Sequence, residues 1–231
     1  MSPGVNGSTE GRPPLLSERA YTALRDRIVT LDLRPGSPIN EERLSAELGV
    51  GRTPLRDAIK RLEAENLVLI YPRQGTFVAE VNISDHALIA DVRRQLEGHA
   101  AGRAAERLAG ADRSMLAELT GRVRDRVDGA AEHPAGHHPA GDREASMRLD
   151  TEIHRAVYRC ARNRYLAETL DHYYNLSLRI WYLFLDRLPE VDHAAHHLPM
   201  LEAILDGHAD TARELAVTHV DAFERSVRAA L

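Results

Sequence analysis

The chain changes its punctuation near residue 82. Before that point turn signals recur at short intervals, at Arg34-Pro35-Gly36, at Gly49 and at Pro72-Arg73-Gln74-Gly75. From Ser84 onward apolar residues recur at helical spacing with few interruptions. The contrast predicts two domains: a small mixed one over residues 17–81 and an all-helical one over residues 84–231, joined by a hinge at Val81-Asn82-Ile83. Residues 1–16 are polar and rich in Gly, Ser and Pro, and read as a disordered tail. The fold class expected is mainly α, a winged helix-turn-helix followed by an all-α antiparallel helical bundle.

Composition narrows the function classes. With 231 residues, 43% of them hydrophobic, the chain can bury a real core. Its single cysteine, Cys160, rules out an internal disulfide. No apolar run reaches the ~18 residues of a membrane span, and Met1 to Arg12 lacks the pattern of a secretory signal. A cytoplasmic protein without membrane contact is expected. The formal charge of -5 means that any nucleic-acid role must come from a local basic patch rather than bulk charge.

Such a patch is legible in the first domain. Ser17-Glu18 opens a helix whose buried face is Ala20, Leu24, Ile28 and Leu31, stopped by Pro35-Gly36. Asn40 caps a second helix over Glu41–Leu48, and Gly49 ends it in a left-handed turn. A third helix starts near Thr53-Pro54, with Leu55, Ile59 and Leu62 inward and Arg52, Arg56 and Lys60 off that stripe. Strands at Val68–Tyr71 and Thr76–Val78 flank a hairpin. Helix, turn, helix and hairpin make a winged helix-turn-helix, and the start of its second paired helix meets base edges. Arg grips guanine with two bonds, and Thr reaches a phosphate or a base methyl. The DNA-binding candidates are therefore Arg52, Thr53, Arg56, Lys60, Gln74 and Gly75, with Arg61 continuing the basic surface. The alternative is that Arg52 and Arg56 only solvate the helix, paired with Asp57 or Glu63.

The second domain reads as helices at about 84–109, 112–128, 142–161, 163–186, 199–206 and 208–230, with Asn82, Ser84 and Asp112 as caps. Residues 129–141 read as a long flexible loop whose three histidines are solvated or metal-binding. Asp150 and His154 share one helical face, either as a surface ion pair or as two ligands of one divalent ion. His219 is a further ligand candidate or a partly buried, hydrogen-bonded histidine. Leu176, Ile180 and Leu183 mark one long helix as mostly core; Trp181 belongs to that core or to a dimer surface.

Leu44-Ser45-Ala46-Glu47-Leu48-Gly49-Val50-Gly51-Arg52-Thr53-Pro54-Leu55-Arg56-Asp57-Ala58, preceded by Leu33-Arg34-Pro35-Gly36 and followed by Arg61 to Val68 and Pro72 to Val78, resembles the DNA-binding domain of the GntR family of bacterial transcription regulators. The resemblance implies operator contacts by Arg52, Thr53 and Arg56 and a minor-groove approach at Gly75. Gly51 stands where the family usually has Ser, and Asn66 where Gly is common. Asp91 to Glu97, Asp150-Thr151-Glu152-Ile153-His154 with Asn163, and His197, Met200-Leu201, Ala203-Ile204 and His219 are similar to the FCD-type effector domain of the FadR branch. That resemblance implies a divalent metal, zinc, nickel or manganese, held by Asp150, His154, His197 and His219. Pro199 places His197 at or just before a helix start; His196 is the alternative ligand and His193 a weaker one. Open coordination positions would take a small carboxylate effector. Arg93 would bind that carboxylate or pair with Glu97, and Asn175 and Arg179, with Tyr173 and Tyr182, would line the pocket.

The function expected is a DNA-binding transcription regulator, a repressor acting as a homodimer on double-stranded operator DNA under control of a small organic acid. A metal-dependent hydrolase, and a regulator whose metal is structural or is itself the signal, are the alternatives.

Overall fold

The structure is a computed structural model that describes residues 15–132, 140–184 and 194–230, with side chains left undescribed at 130–132 and 140–143. The chain divides into two compact units between Val81 and Asn82. Most of the tail, His193 and the centre of the 129–141 stretch lie outside the described residues.

The first unit is built on α1 (Leu16–Val29), α2 (Glu41–Leu48), α3 (Arg52–Ala64), β1 (Val68–Tyr71) and β2 (Gly75–Val78). α1 packs on α3, and the core is Ala20, Leu24 and Ile28 with Leu55, Ala58, Ile59 and Leu62, all at most 2% exposed. Each fully buried Leu or Ile stabilises the unit by about 1.5–3 kcal/mol. Two features of α1 differ from the expectation. Its N-cap is Leu15, which leaves Ser17 inside the first turn with no capping bond. The helix stops at Val29, well before Pro35, because Leu31 takes a left-handed φ of 63°. Leu31 is therefore off the buried face, only half-buried.

Asn40 caps α2 by accepting from the Arg43 N–H at 2.9 Å, and Gly49 closes it at φ 61°. α3 has Gly51 at its N-cap and no side-chain cap. Its first intrahelical bond is Leu55 N–H to Gly51 O. The strands pair antiparallel from Val68↔Val78 to Tyr71↔Gly75. β2 thus starts at Gly75, one residue earlier than expected, and the tip of the wing is Pro72-Arg73. The Gln74 N–H closes that turn on Tyr71 O at 3.0 Å, with Arg73 at φ 66°.

The second unit is a helical bundle: α4 (His86–Arg107), α5 (Gly110–Glu132), α6 (Ala140–Cys160), α7 (Arg164–Phe184), α8 (Leu198–Leu205) and α9 (Ala209–Ala230). α4 packs against α6, α7, α8 and α9. Its small residues explain how: Ala100, Ala101 and Ala104 are fully buried. A Cβ at Gly98 would meet Val217 Cγ2 at 3.0 Å, and one at Gly102 would meet the Ala209 carbonyl at 3.3 Å. α4 and α9 therefore approach as closely as glycine allows.

Several expectations are corrected here. Residues 129–132 and 140–141 are helical, extending α5 and α6 into the stretch expected to be a loop. Asp112 lies inside the first turn of α5 and pairs with Arg162 instead of capping. Asn82 does cap, accepting from Ser84 ahead of a 3-10 turn at Ile83–Asp85. On α7, Ile180 is buried as expected, but Leu176 is only half-buried and Leu183 is 41% exposed, while Leu170, Tyr174, Leu178 and Trp181 complete the buried face.

Candidate functional site

In the first unit α3 turns Leu55, Ala58, Ile59 and Leu62 inward and leaves Arg52, Thr53, Arg56 and Lys60 exposed. Gln74 and Gly75 are exposed on the wing. Arg56 donates Nε to Glu41 Oε2 at 2.9 Å, across from the start of α2, rather than pairing with Asp57 or Glu63. Arg61 does not extend the basic face: it pairs with Glu18 and stacks over Tyr21, 3.8 Å from the ring centre. Arg73, exposed at the wing tip with a φ of 66°, is a basic residue that sequence reasoning missed; an Arg gives no local signal for a left-handed conformation.

In the second unit three helices deliver four ligand-type side chains. α6 carries Asp150 and His154 one turn apart on its buried face. His197 ends a 3-10 turn and is the N-cap of α8, with Pro199 in the first helical turn. It is 0% exposed, whereas His196 is exposed. α9 supplies His219. One donor atom from each of Asp150, His154, His197 and His219 lies within 4.8 Å of the others. His197 Nε2 bonds Asp150 Oδ1 at 2.8 Å, Tyr174 donates to Asp150 Oδ2 at 2.7 Å, and His154 Nε2 stands 3.7 Å from Asp150 Oδ2. Nδ1 of His197 and Nδ1 of His219 are sealed from solvent with no partner among the described residues.

The electrostatics favour ligand-competent forms. Burial pushes the His197 and His219 rings down from the usual 6.5, toward the neutral imidazole that coordinates metal; the other histidines add to this at His219. Burial works to raise the Asp150 carboxyl, but His154 and His197 hold it well below the usual carboxylate range. A buried carboxylate, three imidazoles and two orphaned ring nitrogens suit a divalent cation of borderline character. Each residue would offer one N or O atom.

Around this cluster lies a cavity of about 10 Å³, lined by Arg93, Tyr174, Ser177 and Phe223 as well as Asp150, His154 and His219. That is room for roughly one water or ion. Arg93, 2% exposed, donates Nε to Glu97 Oε1 at 2.6 Å and Nη1 to Ser177 at 2.7 Å. Burial opposes the Glu97 charge, yet Arg93 and His154 hold its carboxyl far below the ordinary value. Asn175 and Arg179 are buried on α7 but outside the cavity lining, and Tyr173 and Tyr182 are only half-buried. Tyr174, Ser177 and Leu178 take the lining positions on α7; each successive residue turns about 100° around a helix, so a change of one or two residues turns a side chain away from the cavity.

Residues 16–78 match the gntR family of bacterial regulatory proteins, and residues 88–222 match the FCD domain. An uncharacterized HTH-type transcriptional regulator in an unstable DNA locus of Streptomyces ambofaciens is 28% identical over 94% of this chain and 85% of that protein. A probable D-xylose utilization operon transcriptional repressor of Paenarthrobacter nicotinovorans is 29% identical over 81% of this chain and 78% of its own length. Among solved structures, McbR/YncC of E. coli shares the fold with a TM-score of 0.76 at 20% identity, over 94% of this chain and 98% of that one. With its exposed basic helix, its wing and its buried Asp/His cluster in view, the chain belongs to the gntR family of bacterial regulatory proteins, a DNA-binding transcription regulator with an FCD domain as its second unit.

Proposed function

We propose that this regulator is a repressor that binds an operator duplex as a homodimer and leaves it when a small organic acid reaches a divalent metal held by Asp150, His154, His197 and His219. The convergence of those four donors within 4.8 Å carries the reading. Arg52, Thr53 and Arg56 would read bases or phosphates, with Lys60, Gln74 and Gly75 supporting from the helix and wing. A two-fold pair of reading heads matches a palindromic site. The protein would act in the cytoplasm, where its operator is.

When bound, the metal supplies a Lewis-acidic position that a carboxylate oxygen can occupy. Arg93 has two of its three nitrogens committed to Glu97 and Ser177, so its remaining N–H donors are what it can offer the same carboxylate. Asn175 and Arg179 would act only if the helix they share moves. A cavity of about 10 Å³ does not admit an organic acid, so binding would select a more open state. The ligand can shift DNA affinity only by its preference for that state.

Elemental analysis of mildly purified protein, then titration of a duplex from its own upstream region with and without a panel of organic acids, tests the reading. Stoichiometric zinc, nickel or manganese, absent from His154→Ala, and acid-dependent release are expected. The small cavity favours a second reading, in which the metal only braces the bundle. Metal present with no response to any acid would favour that one.

A further inference from the structure

If the four-donor cluster holds a metal, as proposed above, a carboxylate outside it bears on how one of its rings is oriented. Glu97 on α4 is 4% exposed and is not one of the four clustered donors. Its Oε1 takes the Arg93 Nε bond at 2.6 Å, which fixes the carboxylate plane. Its Oε2 lies 3.3 Å from His154 Nδ1. The other ring nitrogen, His154 Nε2, faces Asp150, on the side where His197 and His219 converge. The Tyr158 hydroxyl lies 3.1 Å from the same Nδ1 and is the one competitor for it among the described residues.

A neutral imidazole carries one proton, on either nitrogen, and only the bare nitrogen can ligate. A carboxylate is an acceptor without a proton to give, so beside it the ring proton belongs on Nδ1. His197 and His219 have no such partner at Nδ1. We propose that Glu97 is the positioning residue of the metal centre: by accepting the His154 Nδ1–H it fixes that ring's tautomer and aims Nε2 at the cation, while Arg93 anchors Glu97 in place. A ligating histidine held this way from its far nitrogen is a general device, and removing the carboxylate typically costs 10–100-fold in metal affinity. Tyr158 then accepts a shared Nδ1–H or bonds elsewhere, but does not donate to Nδ1.

The test uses full-length protein labelled with ¹⁵N-histidine. In the metal-stripped wild type, long-range ¹H–¹⁵N spectra should show His154 protonated on Nδ1; protonation on Nε2 alone overturns the proposal. Calorimetric titration with nickel and zinc should then show Glu97→Gln binding about 10–100-fold more weakly. Because that change leaves Arg93 buried without its partner charge, the double variant Arg93→Met/Glu97→Leu is made in parallel, removing both charges together. It should fold, lose metal affinity to a similar degree, and show His154 drifting to a tautomer mixture. A folded variant with wild-type affinity and an unchanged tautomer overturns Glu97 alone. Wild-type protein that takes up neither metal overturns the metal reading and this inference with it. If neither variant folds, the wild-type tautomer decides.

Discussion

Arg52 and Arg56 sit one turn apart on the same exposed face, yet they are not equivalent. Arg56 is already held by Glu41, whereas Arg52 has no ion-pair partner among the described residues. Arg52→Ala should therefore weaken operator binding by ~1–3 kcal/mol without changing the melting temperature. Fluorescence anisotropy on an operator duplex checks this; equal affinity would move the reading face elsewhere. A second residue-scale consequence is acid sensitivity. Burial lowers the proton affinity of His86, His197 and His219 in the folded chain relative to the ordinary 6.5. Below about pH 6.5 the unfolded chain then binds more protons than the folded one, so stability falls as pH drops and is flat above. Melts of metal-stripped protein across pH 5–8 read this directly, and a melting temperature that rises toward acid would contradict it. At this scale the sequence was informative wherever a periodicity was involved: Asp150 and His154 are spaced for one helical face. His197 and His219 come from other elements, so only the family resemblance drew them to the same pair. Glu97's contact with His154 depends on α4 lying against α6, which no local pattern encodes.

Helix-scale arguments turn on how near α9 comes to α4. The glycines at 98 and 102 permit that approach, and α9 carries His219 into the cluster. Gly98→Leu would have to displace Val217 or the helix itself. It should cost ~1–3 kcal/mol in chemical denaturation and weaken metal uptake together, because the same displacement withdraws a ligand. Loss of stability with metal affinity intact would show that α9 is not what sets the site. The existence and order of the helices were readable from spacing and from caps such as Asn40 and Gly49. Their ends and faces were less so. Leu31 lies beyond the end of α1 with a left-handed φ, and on α7, which packs against α4 and α6, Ile180 kept its expected place while Tyr174 and Leu178 joined the buried face and Leu183 did not.

On the scale of the whole chain, the two units have separate cores, and every candidate ligand lies beyond Asn82. Calorimetric unfolding should therefore show two transitions. Excess metal at about 100 times its dissociation constant should raise the one belonging to the bundle by about 2.7 kcal/mol, and a chelator should reverse this. The transition of the first unit should stay where it is. Movement of neither would mean that no ion binds the native bundle. The division into a punctuated and a helical half was visible in the residue order alone, since turn chemistry is local.

Gly51 brings a last consequence. α3 opens on Gly51 with no side-chain cap bond, and Pro54 has no amide N–H to offer. The backbone N–H groups of Arg52 and Thr53, both exposed residues, are then left without an intrahelical acceptor. In the free regulator these should trade their hydrogens for deuterium at nearly the rate of an unstructured peptide. On any duplex, whatever its bases, a phosphate seated there should slow that exchange, giving a footprint of docking that is blind to sequence.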